Sequence, residues 1–501
     1  MNYAHRTNSL FAALVAVLVL FAAPRTSISQ GVAPQDAART EATQSTYVPI
    51  VTSGYPWRPY ISAEANAPIT PGTRMLTRTL DLGVDRMRLN GRISWRAMQP
   101  KEGDPIDWTP AFTLEQELIA LNAAGIHPIL VVDDHPRWAS IDPTNSCTAI
   151  RADKFEAFAE YVVALVNRYS AAPYNVKIWE LGNEPDVDPY WFGDKKDMVY
   201  GCWGNIADPF YGGEHYGEML KVVTPRIRAA DRHAQVWIGG LLLDRENETR
   251  PGYGRPELFF KGILEAGAGL YFDAVPYHFY PPYQGKVSID HSLIGFDATV
   301  ANTDPNKGGI VGKANFLRGI LAEYGLTKPL HLNESALMCV NDTENPPPYC
   351  KPTEEAFFIA QAHYAVKAPL RAMNADVESF VWYVIDNGGW RQGGLYDWMG
   401  NPRPAYSALR TFSNLTRNTT YLSTASGYPD AVEAFALRRS SNEQVHIVWA
   451  RTDDIYTINA PTAKLIAAYD IDGNALSPAY QAGGSTYWNI GIDPVYIVRR
   501  P

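Results

Sequence analysis

The segment KIWELGNEPD, residues 177–186, begins like a buried strand and ends in carboxylates. Its first half is apolar, and Pro185 ends the strand because proline has no backbone N–H to pair. Glu180 and Glu184 lie within or at the end of this strand, and Asp186 follows it. Carboxylates are rarely buried unless they are paired or used in chemistry. The rest of the chain has to supply the sheet that holds this strand and the partners of its carboxylates.

Short apolar runs alternate with helical patterns around this segment, which is typical of a parallel sheet built from βα units. Eight strand candidates occur, and that number favours a (β/α)8 TIM barrel, an α/β fold, over an open sheet. The candidates are residues 59–65, 84–90, 127–134, 176–183, 235–242, 272–280, 329–335 and 378–384. In such a barrel the chemistry lies at the C-terminal ends of the strands.

Four parts are predicted along the chain. An apolar run over residues 10–23 follows basic residues and is short for a membrane span, so residues 1–29 are predicted to be a signal peptide, with an uncleaved anchor as the alternative. Residues 30–55 lack periodicity and are predicted to be a linker. The barrel is expected over 56–415, and short alternating strands predict an antiparallel β-sandwich over 416–501. The leader predicts a secreted, cell-surface or periplasmic protein.

The charge and the cysteines limit the partners and the compartment. The formal net charge is −9, and becomes −11 without the two arginines of the leader, which argues against nucleic acid as a partner and favours a neutral or weakly charged ligand. No membrane partner is expected after leader cleavage. The four cysteines allow three disulfide pairings. The barrel favours Cys147–Cys202, on neighbouring loops, and Cys339–Cys350, within one loop.

Two glutamates end apolar strands far apart in the sequence. Glu184 ends the fourth predicted strand, and Glu334 ends the seventh. These strands face one another across the mouth of a barrel, so both side chains can enter one cleft. Hydrolysis of a glycosidic bond needs such a pair, because one carboxyl group protonates the leaving oxygen while the other attacks or stabilises the sugar. The pair therefore predicts a glycosidase.

Several motifs resemble those of the clan A glycoside hydrolases, in the same order along the barrel. WELGNEPD resembles the Asn-Glu-Pro motif of strand four, and HLNESAL resembles the strand-seven segment with the nucleophile. VDRMRLN and SWRAMQPKEGDPIDW are similar to the strand-two Arg and the stretch after it, FDAVPYHFY to the strand-six His-x-Tyr, and ESFVWYV to the strand-eight segment. The sandwich after the barrel makes family 39, with its β-xylosidases and related endo-glycosidases, the most similar family, with family 5 next.

The resemblance implies a role for each matching residue. Glu184 would be the general acid/base and Glu334 the nucleophile of a retaining enzyme. Asn183 would donate to the substrate 2-hydroxyl, although Asn also serves turns. Arg88 would keep Glu334 ionised by charge pairing, or be an ordinary barrel ion pair, and Tyr280 would hydrogen-bond the same carboxylate.

Other polar and aromatic residues carry weaker expectations. His278 is either part of the site or a satisfied interior residue, and Trp382 is either a face for a pyranose or core filler. Glu180 is expected to pair with Arg88 or Arg86 in a structural role. One of Asp133 and Asp134 is a candidate for contacting sugar hydroxyls or for capping the next segment. Candidates for an aromatic platform are Trp138, Trp203 and Trp390.

The sequence therefore predicts a secreted retaining glycosidase that hydrolyses O-glycosyl bonds of β-linked oligo- or polysaccharide without a cofactor. A carbohydrate-binding barrel without turnover is the alternative. A metal-dependent hydrolase is disfavoured, because the ten histidines form no HxH or HExxH motif, and no metal site is expected. The sandwich is predicted to be structural. The sugar, its linkage, endo or exo action and the oligomeric state are left open by these motifs.

Overall fold

The computed structural model describes residues 60–145, 147–187, 202–243, 256–295, 308–339, 355–386 and 390–501. The predicted signal peptide and linker lie outside these residues, as does Cys350. Cys147 and Cys202 form the expected disulfide, and Cys339 is also disulfide-bonded. Within the described residues, no helix combines the length and apolar character that a membrane crossing needs.

Eight parallel strands form the central sheet, and each lies inside its predicted run. They are β1 (Tyr60–Glu64), β2 (Arg86–Leu89), β3 (His127–Val132), β4 (Ile178–Asn183), β5 (Gln235–Gly240), β6 (Val275–Phe279), β7 (Leu330–Ser335) and β8 (Ser379–Trp382). The order is β5-β4-β3-β2-β1-β8-β7-β6, and two isolated parallel bridges, Trp237 to Ala274 and Leu241 to Tyr277, link β5 to β6. The predicted (β/α)8 barrel is confirmed.

Helices between the strands cover the outside of the sheet with apolar side chains. They are α1 (Arg74–Leu82), α2 (Trp95–Met98), α3 (Phe112–Ala123), α4 (Phe155–Tyr169), α5 (Gly213–Ala230), α6 (Pro256–Glu265), α7 (Gly309–Glu323), α8 (Glu355–Asn374) and α9 (Pro404–Thr416). In α4, Phe158, Val162 and Leu165 are buried at helical spacing, which fixes the face turned to the sheet. This packing holds the strand ends, and therefore the mouth, in place.

The C-terminal region is an antiparallel β-sandwich, as predicted. Its strands are β9 (Thr420–Thr424), β10 (Val432–Ser440), β11 (Glu443–Ala450), β12 (Tyr456–Pro461), β13 (Leu465–Tyr469), β14 (Tyr480–Ala482), β15 (Ser485–Ile490) and β16 (Val495–Arg499). Five of them form a sheet in the order β13-β16-β11-β10-β9, and three form a second sheet in the order β12-β15-β14.

The central strands of the five-stranded sheet, β10, β11 and β16, are buried on both faces. One face carries Phe435 and Trp449, which belong to the same buried cluster as the barrel helices. The opposite face carries Val448 and Ile497, which pack with Trp488 of the three-stranded sheet. The layers therefore run from the barrel to the five-stranded sheet and then to the three-stranded sheet, whose far side faces solvent.

Candidate active site

Glu184 and Glu334 meet at the mouth of the barrel. One carboxylate oxygen of each, together with a ring nitrogen of His278, forms a group whose atoms all lie within 4.8 Å of one another. Both glutamates are only 5% exposed. In glycosidases that retain the anomeric configuration, the two carboxyl groups lie about 5–5.5 Å apart. Glycosidases that invert it need a wider gap that admits a water molecule. The separation found here fits the narrower class.

The backbone around Gly182 departs from simple strand alternation. Alternation places Asn183 and Glu184 on opposite faces, but the structure turns both toward the mouth. Gly182 has φ +96°, a conformation that a residue without Cβ adopts readily, and Glu184 has φ +48°. The N–H of Glu184 donates to the carbonyl of Gly240 at 2.9 Å, which supports this unusual conformation. A local turn therefore delivers two polar side chains to one site.

A bulge in β7 has the same effect on the other side of the mouth. Leu332 pairs with Tyr277 and Glu334 pairs with His278, so Asn333 is an extra residue in the strand. Asn333 is fully buried and its Nδ2 donates to Glu180 at 3.0 Å. Asn333 also begins the N-x-S/T glycosylation sequon of residues 333–335, which is therefore inaccessible in the folded chain. Both Asn333 and Glu334 face the barrel interior as a result.

Arg88 of β2 joins four of the inward side chains. Its guanidinium donates to Glu64 at 2.7 Å, to Glu180 at 2.8 and 3.0 Å, to Asn183 at 2.7 Å, and to Glu334. Arginine has only donors, so the Asn183 atom that faces it is Oδ1, and the amide nitrogen of Asn183 is left to donate elsewhere. Arg88 is fully buried, so these contacts act without solvent screening.

One buried cation faces three carboxyl groups, and burial shifts the pKa of two of them. Burial raises the pKa of Glu64 to about 8, with Arg88 opposing and the nearby Glu334 and Glu180 adding to the rise. Burial also raises the pKa of Glu334, while Arg88 and the hydroxyl of Tyr280 oppose that rise. At neutral pH Glu64 is therefore mostly protonated.

His278 links the two glutamates. Its Nδ1 lies 2.8 Å from Oε1 of Glu184 and 3.5 Å from Oε2 of Glu334. Burial and the charges of Arg88 and Lys313 lower the pKa of His278 well below its usual range, so the ring is neutral. The contact with Glu184 is consequently a hydrogen bond between a neutral imidazole and a carboxyl group.

Tyr280 lies in the site, whereas Trp382 does not reach its surface. The Tyr280 hydroxyl donates to Oε2 of Glu334 at 2.6 Å. Trp382 is fully buried and its indole N–H donates to the carbonyl of Gly393 at 3.0 Å, so neither ring face is open to a sugar in this structure. Trp390 is 47% exposed and its ring centroid lies 5.4 Å from that of Tyr280. Among the aromatic candidates, Trp390 is thus the exposed ring, and it lies beside Tyr280.

The other aromatic candidates hold loops to the scaffold. The indole N–H of Trp138 donates to the carbonyl of Gln99 at 3.0 Å, and its ring packs against Trp95. Trp203 is buried against Phe155 and Tyr216. Neither ring is placed as part of an open platform.

Several strand-end carboxylates hold the surrounding loops. Asp186 accepts from the N–H groups of Leu242 and Leu243 at 2.9 and 2.8 Å. Asp386 accepts from Asn66 and Ala67 at 2.8 and 2.7 Å. These carboxylates position loops at the mouth, and Asn387 next to Asp386 lies outside the described residues.

The two aspartates after β3 have different surroundings. Asp134 pairs with Arg96 at 3.0 Å and accepts from Ser94. Asp133 accepts from the N–H of Asp134 at 2.7 Å. Burial raises the pKa of Asp133 to about 6. Asp134 is therefore engaged in an ion pair with Arg96.

Within the described part of the chain, Glu184, His278 and Glu334 are also the group whose atoms are close enough to hold a metal ion. The arrangement fits a metal poorly. The Arg88 cation already bonds to Glu334, and a second cation beside it would be repelled. His278 Nδ1 is engaged by Glu184. These side chains instead suit a neutral ligand that can exchange hydrogen bonds and protons with the two carboxyl groups.

Glu64 and Asn333 also lie in the site, although neither is among the residues expected there from the sequence. Glu64 ends β1 in the run PYISAEA, so it shares the strand-end position that identified Glu184 and Glu334. That signal was present in the sequence. For Asn333 the sequence carries no comparable signal, because the bulge that turns it inward depends on pairing with β6.

The chain matches no family model and no curated protein. Its fold is similar to several solved structures. A family 39 glycoside hydrolase from the gut symbiont Bacteroides cellulosilyticus WH2 has a TM-score of 0.62 and 19% identity, over 88% of this chain and 81% of that one. A GH30 endoxylanase from Clostridium papyrosolvens C71 has a TM-score of 0.55 and 13% identity, over 89% and 98%. A glucosidase from Croceicoccus marinus has a TM-score of 0.58 and 14% identity, over 89% and 97%.

At these identities the likeness shows the fold. The expected resemblance to the clan A glycoside hydrolases is confirmed at that level, and family 39 is among the structural neighbours.

Proposed function

We propose that this chain is a retaining glycoside hydrolase that cleaves β-linked oligo- or polysaccharide. The observation that carries the proposal is the approach of Glu184 and Glu334 to within 4.8 Å in a buried mouth. Two carboxyl groups at that separation can both reach one anomeric centre. The solved structures with this fold include an endoxylanase and a glucosidase, which supports a carbohydrate substrate.

In the first step, Glu334 attacks the anomeric carbon and Glu184 gives a proton to the leaving oxygen, so a covalent glycosyl-enzyme forms and the aglycone departs. In the second step, Glu184 takes a proton from water, the water oxygen attacks the anomeric carbon, and the bond to Glu334 breaks. The sugar leaves with its original configuration, and both glutamates return to their starting states.

The surrounding residues hold this pair in place. Arg88 and Tyr280 each bond a different oxygen of Glu334, so the carboxylate is oriented before substrate arrives. Arg88 also holds Oδ1 of Asn183, which leaves the amide nitrogen of Asn183 to donate to the sugar 2-hydroxyl. His278 bonds Glu184 and fixes its direction.

We also propose that the enzyme works outside the cytoplasm. The predicted leader would direct export, and the disulfide between Cys147 and Cys202 fits an oxidising compartment. The domain boundary near residue 415 is part of the same proposal. Helix α9 ends at Thr416 and strand β9 begins at Thr420, which supports that division.

Substitution of either glutamate tests the mechanism. Glu334→Ala and Glu184→Ala should each reduce hydrolysis of a nitrophenyl β-glycoside by about 10³-fold or more, because each removes a group on which a chemical step depends. Azide should partly restore turnover to Glu334→Ala by attacking the anomeric carbon itself, giving a glycosyl azide of inverted configuration. The matched control is Glu102→Ala, which removes an exposed glutamate that pairs with Lys154.

Turnover by Glu334→Ala at the wild-type rate would reject the assignment. Binding of an oligosaccharide by the wild-type chain, with no cleavage over a long incubation, would instead favour the non-catalytic carbohydrate-binding barrel. A panel of nitrophenyl glycosides and polysaccharides would identify the sugar.

A further inference from the structure

The solvent side of the three-stranded sheet has a regular set of exposed side chains. Strand β12 alternates buried and exposed residues, and in β15 buried residues alternate with half-buried or exposed ones. The buried positions, such as Ile458 and Trp488, form the sandwich core. The alternate positions therefore face away from the barrel, on the outermost layer of the molecule.

Two rows of side chains cross this face. Tyr480 of β14 pairs with Tyr487 of β15, which pairs with Asn459 of β12. In the next row Asn489 pairs with Thr457, and the Thr457 hydroxyl donates to Oδ1 of Asn489 at 2.9 Å. The amide nitrogen of Asn489 can consequently donate hydrogen bonds to other acceptors. None of these five side chains is charged.

The two tyrosines form a stacked pair at the edge of the sheet. Their ring centroids lie 4.4 Å apart with an interplanar angle of 13°. Tyr487 covers one face of the Tyr480 ring, yet Tyr480 remains 50% exposed. Strand β14 has a neighbour on one side only, so the other face of that ring lies toward the open edge. The pairing also holds the ring in one orientation.

This chemistry matches an uncharged polyhydroxylated chain. The open face of an aromatic ring packs against the C–H face of a sugar, while amide and hydroxyl groups bond to its hydroxyls. A face without charges desolvates at little cost against a neutral polymer and offers nothing specific to a charged one. Asn459, Thr457 and Asn489 continue from the tyrosine pair across the sheet, which suits an extended ligand.

We propose that this face, defined by Thr457, Asn459, Tyr480, Tyr487 and Asn489, is a second carbohydrate-binding surface for neutral β-linked polysaccharide. It lies on the far side of the five-stranded sheet from the barrel and is separate from the mouth. The sandwich then has two roles, because its five-stranded sheet packs on the barrel and its three-stranded sheet holds polymer.

Affinity electrophoresis of the full chain in native gels that contain soluble xylan or soluble mixed-linkage β-glucan tests the surface. Wild type should be retarded in at least one polymer. Tyr480→Ala should bind that polymer more weakly, with a dissociation constant about fivefold higher or more. Asn489→Ala should weaken it less, since a single amide is lost. The control is Ile466→Ala, which removes a side chain of 48% exposure on the five-stranded sheet and should leave retardation unchanged.

Two further measurements separate this proposal from the proposed function and from misfolding. Hydrolysis of a nitrophenyl glycoside should be equal in wild type and Tyr480→Ala, and their melting temperatures should agree. Retardation that depends on Tyr480 in a chain with no hydrolytic activity would support the surface and reject only the glycosidase. No retardation in either polymer, equal retardation of Tyr480→Ala, or a dimer that Tyr480→Ala dissociates would overturn the surface.

Discussion

Arg88 is the residue on which the electrostatics of the mouth depend. A guanidinium can hold several carboxylates in fixed directions because its five N–H groups form a rigid fork. Here Glu64, Glu180 and Glu334 share one such cation in a buried setting. One positive charge does not balance three negative charges, so a proton resides on the group that is least well compensated. That group is Glu64, because burial raises its pKa to about 8.

Glu64→Gln tests this distribution of charge. The folded pKa of Glu64 lies above the unfolded value near 4.5, so the folded chain binds more protons and its free energy of unfolding falls as pH rises from about 4.5 to 8. The slope from this residue reaches at most about 1.4 kcal/mol per pH unit. Glutamine mimics the protonated carboxyl group, so this contribution should disappear in the variant.

Urea denaturation at pH 5, 6, 7 and 8 measures the effect as the difference between wild type and Glu64→Gln. The control is Glu102→Gln, which changes an exposed carboxylate. Equal pH dependence in wild type and Glu64→Gln would show that Glu64 is ionised throughout the range.

Gly240→Ala tests how tightly the residues behind the glutamates are packed. A Cβ at this position would lie 2.3 Å from Nε2 of His278 and 2.8 Å from Oδ1 of Asn333. Both side chains would have to move, and His278 would lose its position beside Glu184. We expect kcat to fall by about tenfold or more, as misplacement of a positioning group by 1 Å can cost up to 100-fold.

The control for this change is Gly319→Ala in α7, where an added Cβ meets no atom within 4 Å. That change should leave kcat unaltered and raise stability slightly, because alanine favours helices. If Gly240→Ala kept wild-type kcat, the packing around His278 would be irrelevant to turnover.

At the scale of elements, the sequence predicts strands better than it predicts the irregularities within them. All eight barrel strands follow from apolar runs that a buried parallel sheet requires. Alternation then assigns faces, and it is wrong for Asn183 because Gly182 adopts φ +96°. It is also insufficient for Asn333, whose inward direction comes from a bulge against β6. Such irregularities arise from pairing with other strands, so a local pattern does not contain them.

The type of a residue does not predict how deeply its side chain is buried. For Trp382 the residue type leaves two expectations open, a face for a pyranose or core filler, and the fully buried side chain fits the second. Strand-end position was more informative than residue type, since it also marks Glu64.

Helix α8 and strand β10 are joined by a buried ion pair that can be tested separately. Arg371 donates to Glu433, with one contact at 2.6 Å, and to Asp290 at 3.0 Å, and its guanidinium lies 5.7 Å from the ring centroid of Trp449. Glu433→Ala should lower the free energy of unfolding by about 3–5 kcal/mol, because it leaves a buried cation short of a partner.

The matched control is Glu443→Ala. Glu443 also pairs with an arginine, Arg439, but both side chains are partly exposed. Its loss should cost at most about 1 kcal/mol. Urea denaturation of both variants measures the difference, and equal costs would mean that the α8–β10 contact contributes no more than a surface pair.

For the whole molecule, the layered arrangement makes the sandwich a part of the barrel's core. Phe435 and Trp449 extend the buried cluster of the barrel helices into the five-stranded sheet. Lys367 of α8 is also buried there, with its ammonium 5.4 Å from the ring centroid of Trp449. Removing the sheet would expose this apolar surface together with two cations that depend on it.

A chain truncated after residue 415 should therefore be unstable. The face of α8 that carries Lys367 and Arg371 would lose the partners supplied by Glu433 and Trp449, and exposed apolar patches of this kind promote aggregation. We expect the truncated chain to be insoluble, or soluble with a melting temperature lowered by more than about 5 °C. Full-length Tyr480→Ala is the control, because it alters the sandwich on its solvent side only. A truncated chain that stayed soluble and hydrolysed a nitrophenyl glycoside at the full-length rate would show that the sandwich is dispensable for the barrel.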